Sequence, residues 1–440
     1  MSIYKDCDIR GIYEKEFDAS TAYRIGRSVG SIMGGKTLAV GGDVRVSTPV
    51  LKHELIRGLL DSGANVADLG MIPTPVLYFA MKHYSFHGGV TVTASHNPAK
   101  YNGFKLMFGE RPVTPADIAE IKRRAETGDF AESCGVLTEL DTREAYIQSL
   151  ASHFPRGRLR VVIDCGNGAM SELAPHVFEK LGYDVQRLYC AFDGRFPNRP
   201  PNPAVYENLR DLCAAVLRHK ADIGIGFDGD GDRVVFVDDA GQVVTSEQSL
   251  VVLIDHREVK ENFSVVYDQK SSSIVKNAIT AKGGIPLMER SGHAFIKKRF
   301  LDNHSVLAGE ISGHFFFGEL GYDDGLFAAL RMCEAMGNEK ESLSTIRERI
   351  PQFPITPDIR VFCPYEEQDR WLEQVRSLGR KYAVTEMDGI RVELPQGWLL
   401  ARKSVTEEGM TFRMEAADEE GLKFIKGLLC HTLPQIEKHI

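Results

Sequence analysis

TLAVGGDVRVSTP, residues 37–49, carries three structural signals in succession. The apolar run TLAV reads as a strand, GGDVRVS as a polar loop, and Thr48-Pro49 as the opening of a helix. Ser47 or Thr48 caps that helix, and Pro49 sits in its first turn, where a missing N–H costs nothing. Leu51, Leu55 and Leu59 then share one face, and Gly63 marks the end. Upstream, Ala22, Ile25, Val29 and Ile32 define a second helix over Ser20 to Met33, stopped by Gly34-Gly35. The strand-loop-helix unit recurs. RVVIDCGNG at 160–168 precedes a helical pattern running to Leu181-Gly182, and SVVYDQKSS at 264–272 precedes one ending near Gly283-Gly284. Repetition of a strand, an Asp near its carboxyl end, a polar loop and a helix predicts three related α/β domains. In such sheets ligands sit beyond the carboxyl ends of the strands, so the three loops are expected to face one central cleft.

The tail has a different pattern. After Pro351–Pro357, the helical stretch EEQDRWLEQVRSLG leads to alternating strands DGIRVEL, WLLARKS and TFRMEA, then a last helix from about Glu419. This predicts a smaller α+β C-terminal domain, joined by a hinge near residues 350–360. The expected division is 1–150, 151–255, 256–355 and 356–440. A chain of 440 residues is long enough for several cores.

Hydrophobic residues at 43% and charged residues at 26% are ordinary globular values. A net charge of −8 argues against nucleic acid as partner, because phosphate backbones are met with basic patches. The opening MSIYKDCDIRGIYEKE carries charges where a signal peptide has an apolar core, and no apolar run approaches the ~20 residues of a membrane span. A soluble cytoplasmic protein is expected. The eight cysteines are scattered without a CxxC pair and read as reduced thiols.

Two segments carry chemistry. VTVTASHNPAKYNGFK, 90–105, runs from an apolar strand into a loop bearing Ser95 and His96. Ser95 alone reads as a turn or cap residue, because a serine hydroxyl is a weak nucleophile unless activated or already phosphorylated. No GxSxG elbow is present. Lys105 is near enough in sequence to bring positive charge or a proton. The second segment, ADIGIGFDGDGDRVVFVDDAG at 221–241, alternates Asp228, Asp230 and Asp232 with glycines between two apolar strands. Three carboxylates without bulky neighbours can bend around one hard cation such as Mg²⁺. A plain acidic turn would leave the like charges uncompensated. An EF-hand needs Gly at its sixth position and Glu at its twelfth, where this chain has Arg233 and Asp239. Arg233 instead suits a dianionic phosphate brought up to a metal.

TASHNP followed by YNGFK, and DGDGDR about 130 residues later, resemble the phosphoserine and metal loops of the α-D-phosphohexomutase superfamily, nearest to its bacterial phosphomannomutase/phosphoglucomutase branch. The likeness runs through the chain in order. It implies that Ser95 is phosphorylated and, with Asp228, Asp230 and Asp232, holds Mg²⁺. Arg10 of DIRG would aid proton transfer or phosphate binding, and Lys105 and Arg233 would flank the phosphate, with His96 beside it. Lys270 of YDQKSS and His293 of SGHAFIK match active-site positions. In GEISGH, 309–314, Glu310 and Ser312 would hold sugar hydroxyls and His314 would lie near the reacting groups. The family's distal-phosphate loop, roughly R-x-S-N-T-x-P, is altered here: Arg402, Ser404 and Thr406 keep charge and hydroxyls, Val405 replaces a polar side chain, the proline is absent, and Glu407 and Glu408 add negative charge. A weaker grip on that phosphate, or a different substrate, is expected.

The resemblance implies reversible transfer of phosphate between C6 and C1 of a mannose or glucose phosphate, through a hexose 1,6-bisphosphate that also serves as activator, by a monomer or homodimer. Lys105, Arg10 or His314 are the candidate general bases. A phosphoglucosamine mutase is the competing enzyme, and a catalytically silent sugar-phosphate-binding homologue is the competitor from another class.

Overall fold

The computed structural model describes residues 2–258, 261–404 and 408–439. Four sheets follow one another along the chain. The first has seven strands, the other three have five each. Thr37–Gly42 is a strand, as its apolar run predicts, and lies centrally in the first sheet, parallel to both Asn65–Met71 and Gly88–Val92. The helix after it spans Thr48–Leu60, with Pro49 in its first turn. The helix before it spans Ala19–Ile32 and is capped by the Asp18 carboxylate, which accepts from the Thr21 N–H, one position earlier than Ser20 suggests. Gly63, Gly182 and Gly283 adopt left-handed backbone after their helices, the conformation that favours glycine.

The first three sheets share a second feature that the strand-loop-helix pattern does not reveal. In each, one parallel strand turns back into an antiparallel neighbour. Gly88–Val92 pairs with Tyr101–Phe108, Ile223–Phe227 with Val234–Asp238, and Leu307–Gly309 with Phe315–Phe317. The connecting loops hold Ser95, the three aspartates, and Glu310 to His314 respectively. Each loop leaves the carboxyl end of a buried strand, where backbone groups released from the ladder are free to serve a ligand.

Packing binds these three units together. One continuous apolar core joins Tyr78 and Met107 of the first, Ile163 and Phe227 of the second, and Phe315 and Phe327 of the third. The fourth sheet is wholly antiparallel, in the order Ile359–Val361, Met410–Ala416, Gly397–Lys403, Ile390–Leu394, Ala383–Glu386. It has a separate core around Trp371, Phe412 and Ile425. Phe353 packs on the large core, whereas Thr356 already donates its N–H to Met414 O of the fourth sheet at 2.9 Å. No described helix is long and apolar enough to cross a membrane.

Candidate active site

Ser95 is fully buried and has φ of +50°, a left-handed backbone that few non-glycine residues adopt. Its own loop and a distant arginine hold it there. Thr93 Oγ1 accepts the Ser95 N–H at 2.9 Å, and Arg45 donates to the carbonyls of Ser95, Asn97, Pro98 and Tyr101 at 2.6–2.9 Å. Arg45 is itself paired with Asp43 at 3.0 Å. The Ser95 hydroxyl donates to Asp228 Oδ2 at 2.8 Å, so the serine loop of one unit meets the aspartate loop of the next. Their backbones touch as well: a Cβ on Gly229 would fall 2.5 Å from Ser95 O.

Asp228, Asp230 and Asp232 are all fully buried, and one carboxylate oxygen from each lies within 4.8 Å of the others. Asp230 Oδ1 and Asp232 Oδ1 are buried without a hydrogen-bond partner. Burial, and then the charges of Asp230 and Asp232, push the Asp228 carboxyl well up. Crowded carboxylates with unsatisfied oxygens fit a divalent cation with oxygen ligands. Lys105 supplies part of the balance, reaching Asp230 Oδ2 at 2.8 Å and also Asp232. Burial works against the ammonium, but the three carboxylates outweigh it and raise Lys105 above its ordinary value.

The surrounding groups are equally constrained. His96 Nδ1 lies 3.4 Å from Ser95 Oγ, and Arg233 above all, with burial, Arg10 and Lys105, lowers the imidazole so far that it stays neutral. Arg10 pairs with Asp8 at 2.8 Å and donates to Asn97 Oδ1 at 2.9 Å. Arg233 Nε donates to His314 Nε2 at 2.9 Å. His314 Nδ1 lies 3.0 Å from Asp323 Oδ2, and His293 Nε2 lies 2.9 Å from both oxygens of Asp323. The Asp323 carboxylate, held well below its usual range by these partners despite burial, can only accept. His293 therefore donates from Nε2 and His314 from Nδ1. His293 Nδ1 has no hydrogen-bond partner among the described residues, and burial lowers the ring's pKa.

Glu310 is buried, accepts the Gly292 N–H at 2.8 Å and the Ser312 hydroxyl at 3.1 Å, and is pushed up by burial. A cleft of about 890 Å³ opens beside these groups, lined by Arg10, Lys105, Arg233, His293 and His314. The residues expected to grip the distal end lie elsewhere. Lys270 Nζ pairs with Asp358 at 2.5 Å, and Arg402 pairs with Asp388 at 2.5 Å. Neither they nor Ser404, whose N–H donates to Gly409 O at 2.8 Å, line that cleft. Thr406 lies outside the described residues. None of the three repeat loops, at 41–47, 165–168 and 269–272, lines the cleft, contrary to the expectation that all three would face it, and the loop after Asp164 is tied to the metal loop instead. It sits behind the metal loop, where Ala169 N–H donates to Gly229 O at 2.9 Å.

Three participants were not singled out from sequence: Arg45, Asp323 and Thr74, whose hydroxyl donates to Asp230 Oδ2 at 2.6 Å. Arg45 lies inside GGDVRVSTP, but nothing local indicates that it reaches the loop 50 residues further on.

A buried serine set against a carboxylate pocket, where related α/β units meet, suits phosphoryl transfer through that serine, and this arrangement on this fold defines a phosphohexomutase. The chain belongs to the phosphoglucomutase/phosphomannomutase family, whose alpha/beta/alpha domains I, II and III match residues 1–132, 144–241 and 245–353. It is 36% identical to the phosphomannomutase/phosphoglucomutase of Pseudomonas aeruginosa, covering 100% of this chain and 97% of that protein. It is also 36% identical to the phosphoglucomutase of Neisseria gonorrhoeae, covering 96% of this chain and 95% of the relative. Among solved structures, a phosphoglucomutase/phosphomannomutase family protein from Burkholderia thailandensis superposes with a TM-score of 0.92 at 33% identity, covering 98% of this chain and 96% of that one.

Proposed function

We propose that the protein interconverts the 1- and 6-phosphates of mannose and glucose through phosphorylated Ser95 and a hexose 1,6-bisphosphate. The observation that carries this reading is the 2.8 Å contact of Ser95 Oγ with Asp228 beside two buried, partly unsatisfied carboxylates. Asp228, Asp230 and Asp232, with the phosphate on Ser95, would hold Mg²⁺, which supplies charge neutralisation at the transferring phosphoryl group. Lys105 and Arg233 add fixed positive charge on the same side. The incoming sugar hydroxyl forms the new O–P bond as the bond to Ser95 Oγ breaks. Its proton passes to an imidazole of the His293–His314 pair, where His293 lines the cleft and its Nδ1 has no hydrogen-bond partner among the described residues. The bisphosphate then turns, and its other phosphoryl group returns to Ser95 Oγ. His96, kept neutral, contacts the serine phosphate, and Glu310 and Ser312 bind sugar hydroxyls.

Lys270, Arg402, Ser404 and Thr406 are assigned to the distal phosphate. The sugar stays at its anchored end while the fourth unit, residues 356–440, closes over the other three (1–150, 151–255 and 256–355). Phe353 packs on the large core while the Pro354 carbonyl accepts the Ala416 N–H of the fourth sheet at 3.0 Å, which supports a hinge near residues 350–360. Similarity to an N-acetylphosphoglucosamine mutase from Aspergillus fumigatus is only 12% identity at a TM-score of 0.60, a likeness of fold alone. Activity measured side by side on mannose 1-phosphate, glucose 1-phosphate and glucosamine 1-phosphate, with Mg²⁺ and bisphosphate, tests the reading. Turnover of the first two is expected, and preference for the amino sugar would overturn the assignment.

A further inference from the structure

Two thiols stand behind the metal loop and take no part in phosphoryl transfer. Cys165 opens the loop after the strand Arg160–Asp164, and Cys190 follows the neighbouring parallel strand Asp184–Leu188. Their Sγ atoms are 3.2 Å apart. The ladder between the two strands runs on past both ends, since Cys165 N–H donates to Leu188 O at 3.2 Å and Asn167 N–H to Tyr189 O at 2.8 Å. Adjacent strands lie roughly 4.8 Å apart, a backbone spacing that a disulfide spans. The two sulfurs need to approach by only about 1.2 Å to bond at ~2.05 Å. Cys165 is fully buried and Cys190 partly exposed, so a small oxidant meets Cys190 first. The Cys165 thiol beside it lowers the Cys190 thiol below its ordinary value, whereas burial pushes Cys165 well up. The attacking sulfur is therefore that of Cys190, and Cys165 is placed to resolve it.

The chain beyond Cys165 leads straight to the aspartate hairpin. Cys165 O accepts the Gly168 N–H at 2.8 Å, and the next residue, Ala169, donates its N–H to Gly229 O at 2.9 Å, between Asp228 and Asp230. The backbones touch there, as a Cβ on Gly168 would fall 2.8 Å from Gly229 O. Asp164, just before Cys165, holds Arg199 at 2.7 Å, and Arg199 donates to Phe227 O at 2.7 Å, immediately ahead of Asp228. Strand order fixes the direction of any pull on Cys165. The strand Ile223–Phe227, which feeds the aspartate loop, lies on one side of Arg160–Asp164, and Asp184–Leu188 lies on the other. Drawing Cys165 onto Cys190 moves it away from the aspartates.

Resting on the assignment of Asp228, Asp230 and Asp232 to the cation, we propose that Cys165 and Cys190 are an oxidisable pair whose disulfide loosens the metal site. With hydrogen peroxide as oxidant, Cys190 Sγ takes one peroxide oxygen as the O–O bond breaks, giving a sulfenic acid and one water. Cys165 Sγ then bonds to Cys190 Sγ, and the displaced hydroxyl leaves with the Cys165 proton as a second water. The two sulfurs together give up two electrons to the peroxide, and a dithiol returns them by thiol–disulfide exchange.

The test treats the whole protein with hydrogen peroxide, maps its peptides without reductant by mass spectrometry, and follows melting temperature against Mg²⁺ before and after dithiothreitol. One Cys165–Cys190 link, lighter by two hydrogens, is expected. The oxidised protein should need at least about threefold more Mg²⁺ for the same rise in melting temperature, and dithiothreitol should restore the original dependence. Cys190→Ala should form no link and keep the reduced protein's Mg²⁺ dependence after peroxide. Cys7→Ser, which removes a thiol from the cleft, should respond as wild type does. A sulfinic acid on Cys190 without a link, a link that leaves the Mg²⁺ dependence unchanged, or a peroxide effect that persists in Cys190→Ala or vanishes in Cys7→Ser would overturn the proposal. Failure of the metal assignment shows separately, as a reduced protein whose melting temperature ignores Mg²⁺, while the link is read from the peptide map alone.

Discussion

Ser95 owes its position to residues that its own loop does not contain. Arg45 ties four carbonyls of that loop together, and Gly229 lets the aspartate loop pass against Ser95 O. Gly229→Ala places a methyl group 2.5 Å from that backbone oxygen, so one of the two loops must move. Overpacking of this kind costs about 1–3 kcal/mol, and here the displacement falls on the phosphoryl acceptor. The expected outcome is a folded variant with kcat reduced well beyond its loss of thermal stability, read from steady-state kinetics beside a melting curve. Ser95 and the three aspartates were legible in the sequence because each sits in a short, contiguous motif. Arg45, Thr74 and Asp323 were not, because partners 50, 156 and 30 residues away reach them only through the packing of helices on sheets.

The strand-loop-helix repeat was legible at the scale of the element because buried parallel strands are continuous apolar runs and their helices announce themselves with Pro and Gly. The hairpin that follows each parallel set was not read as a repeat. Its second strand begins differently in each unit, with Tyr101, Val234 and Phe315, and the loop between varies in length. Yet those hairpins carry the site. The aspartate hairpin is the one crowded with like charge, since Asp228, Asp230 and Asp232 are all buried, and Lys105 and Arg233 pair with them. A divalent cation that binds the folded chain stabilises it in proportion to its occupancy, by about 2.7 kcal/mol at a hundredfold excess over Kd. The melting temperature is therefore expected to rise with added Mg²⁺ and to fall with a chelator. Asp230→Asn should abolish that dependence; an unchanged Mg²⁺ response in Asp230→Asn would place the cation elsewhere.

Across the whole molecule, three units share one core and the fourth keeps its own. The separate character of the tail was visible in its pattern of alternating strands. How it docks was not, because contacts among the described residues include scattered polar pairs such as Lys270 with Asp358, Arg391 with Gln269 O, Ser273 N–H with Glu415 at 2.8 Å and Arg413 with Glu247 at 3.4 Å. A polar seam of this kind opens more readily than the apolar core behind it, as a unit that admits and retains a turning bisphosphate requires. The altered sequence at 402–408 departs from the family's distal-phosphate pattern, and the sugar panel reports on its consequence. The central claim is narrower: the phosphoryl group resides on Ser95. Dephosphorylated protein incubated with Mg²⁺ and glucose 1,6-bisphosphate, then digested and mapped for phosphopeptides, tests it directly. One phosphoryl group on Ser95 is predicted, absent in Ser95→Ala together with mutase activity. Phosphate on another residue, or near-normal turnover by Ser95→Ala, would contradict the account.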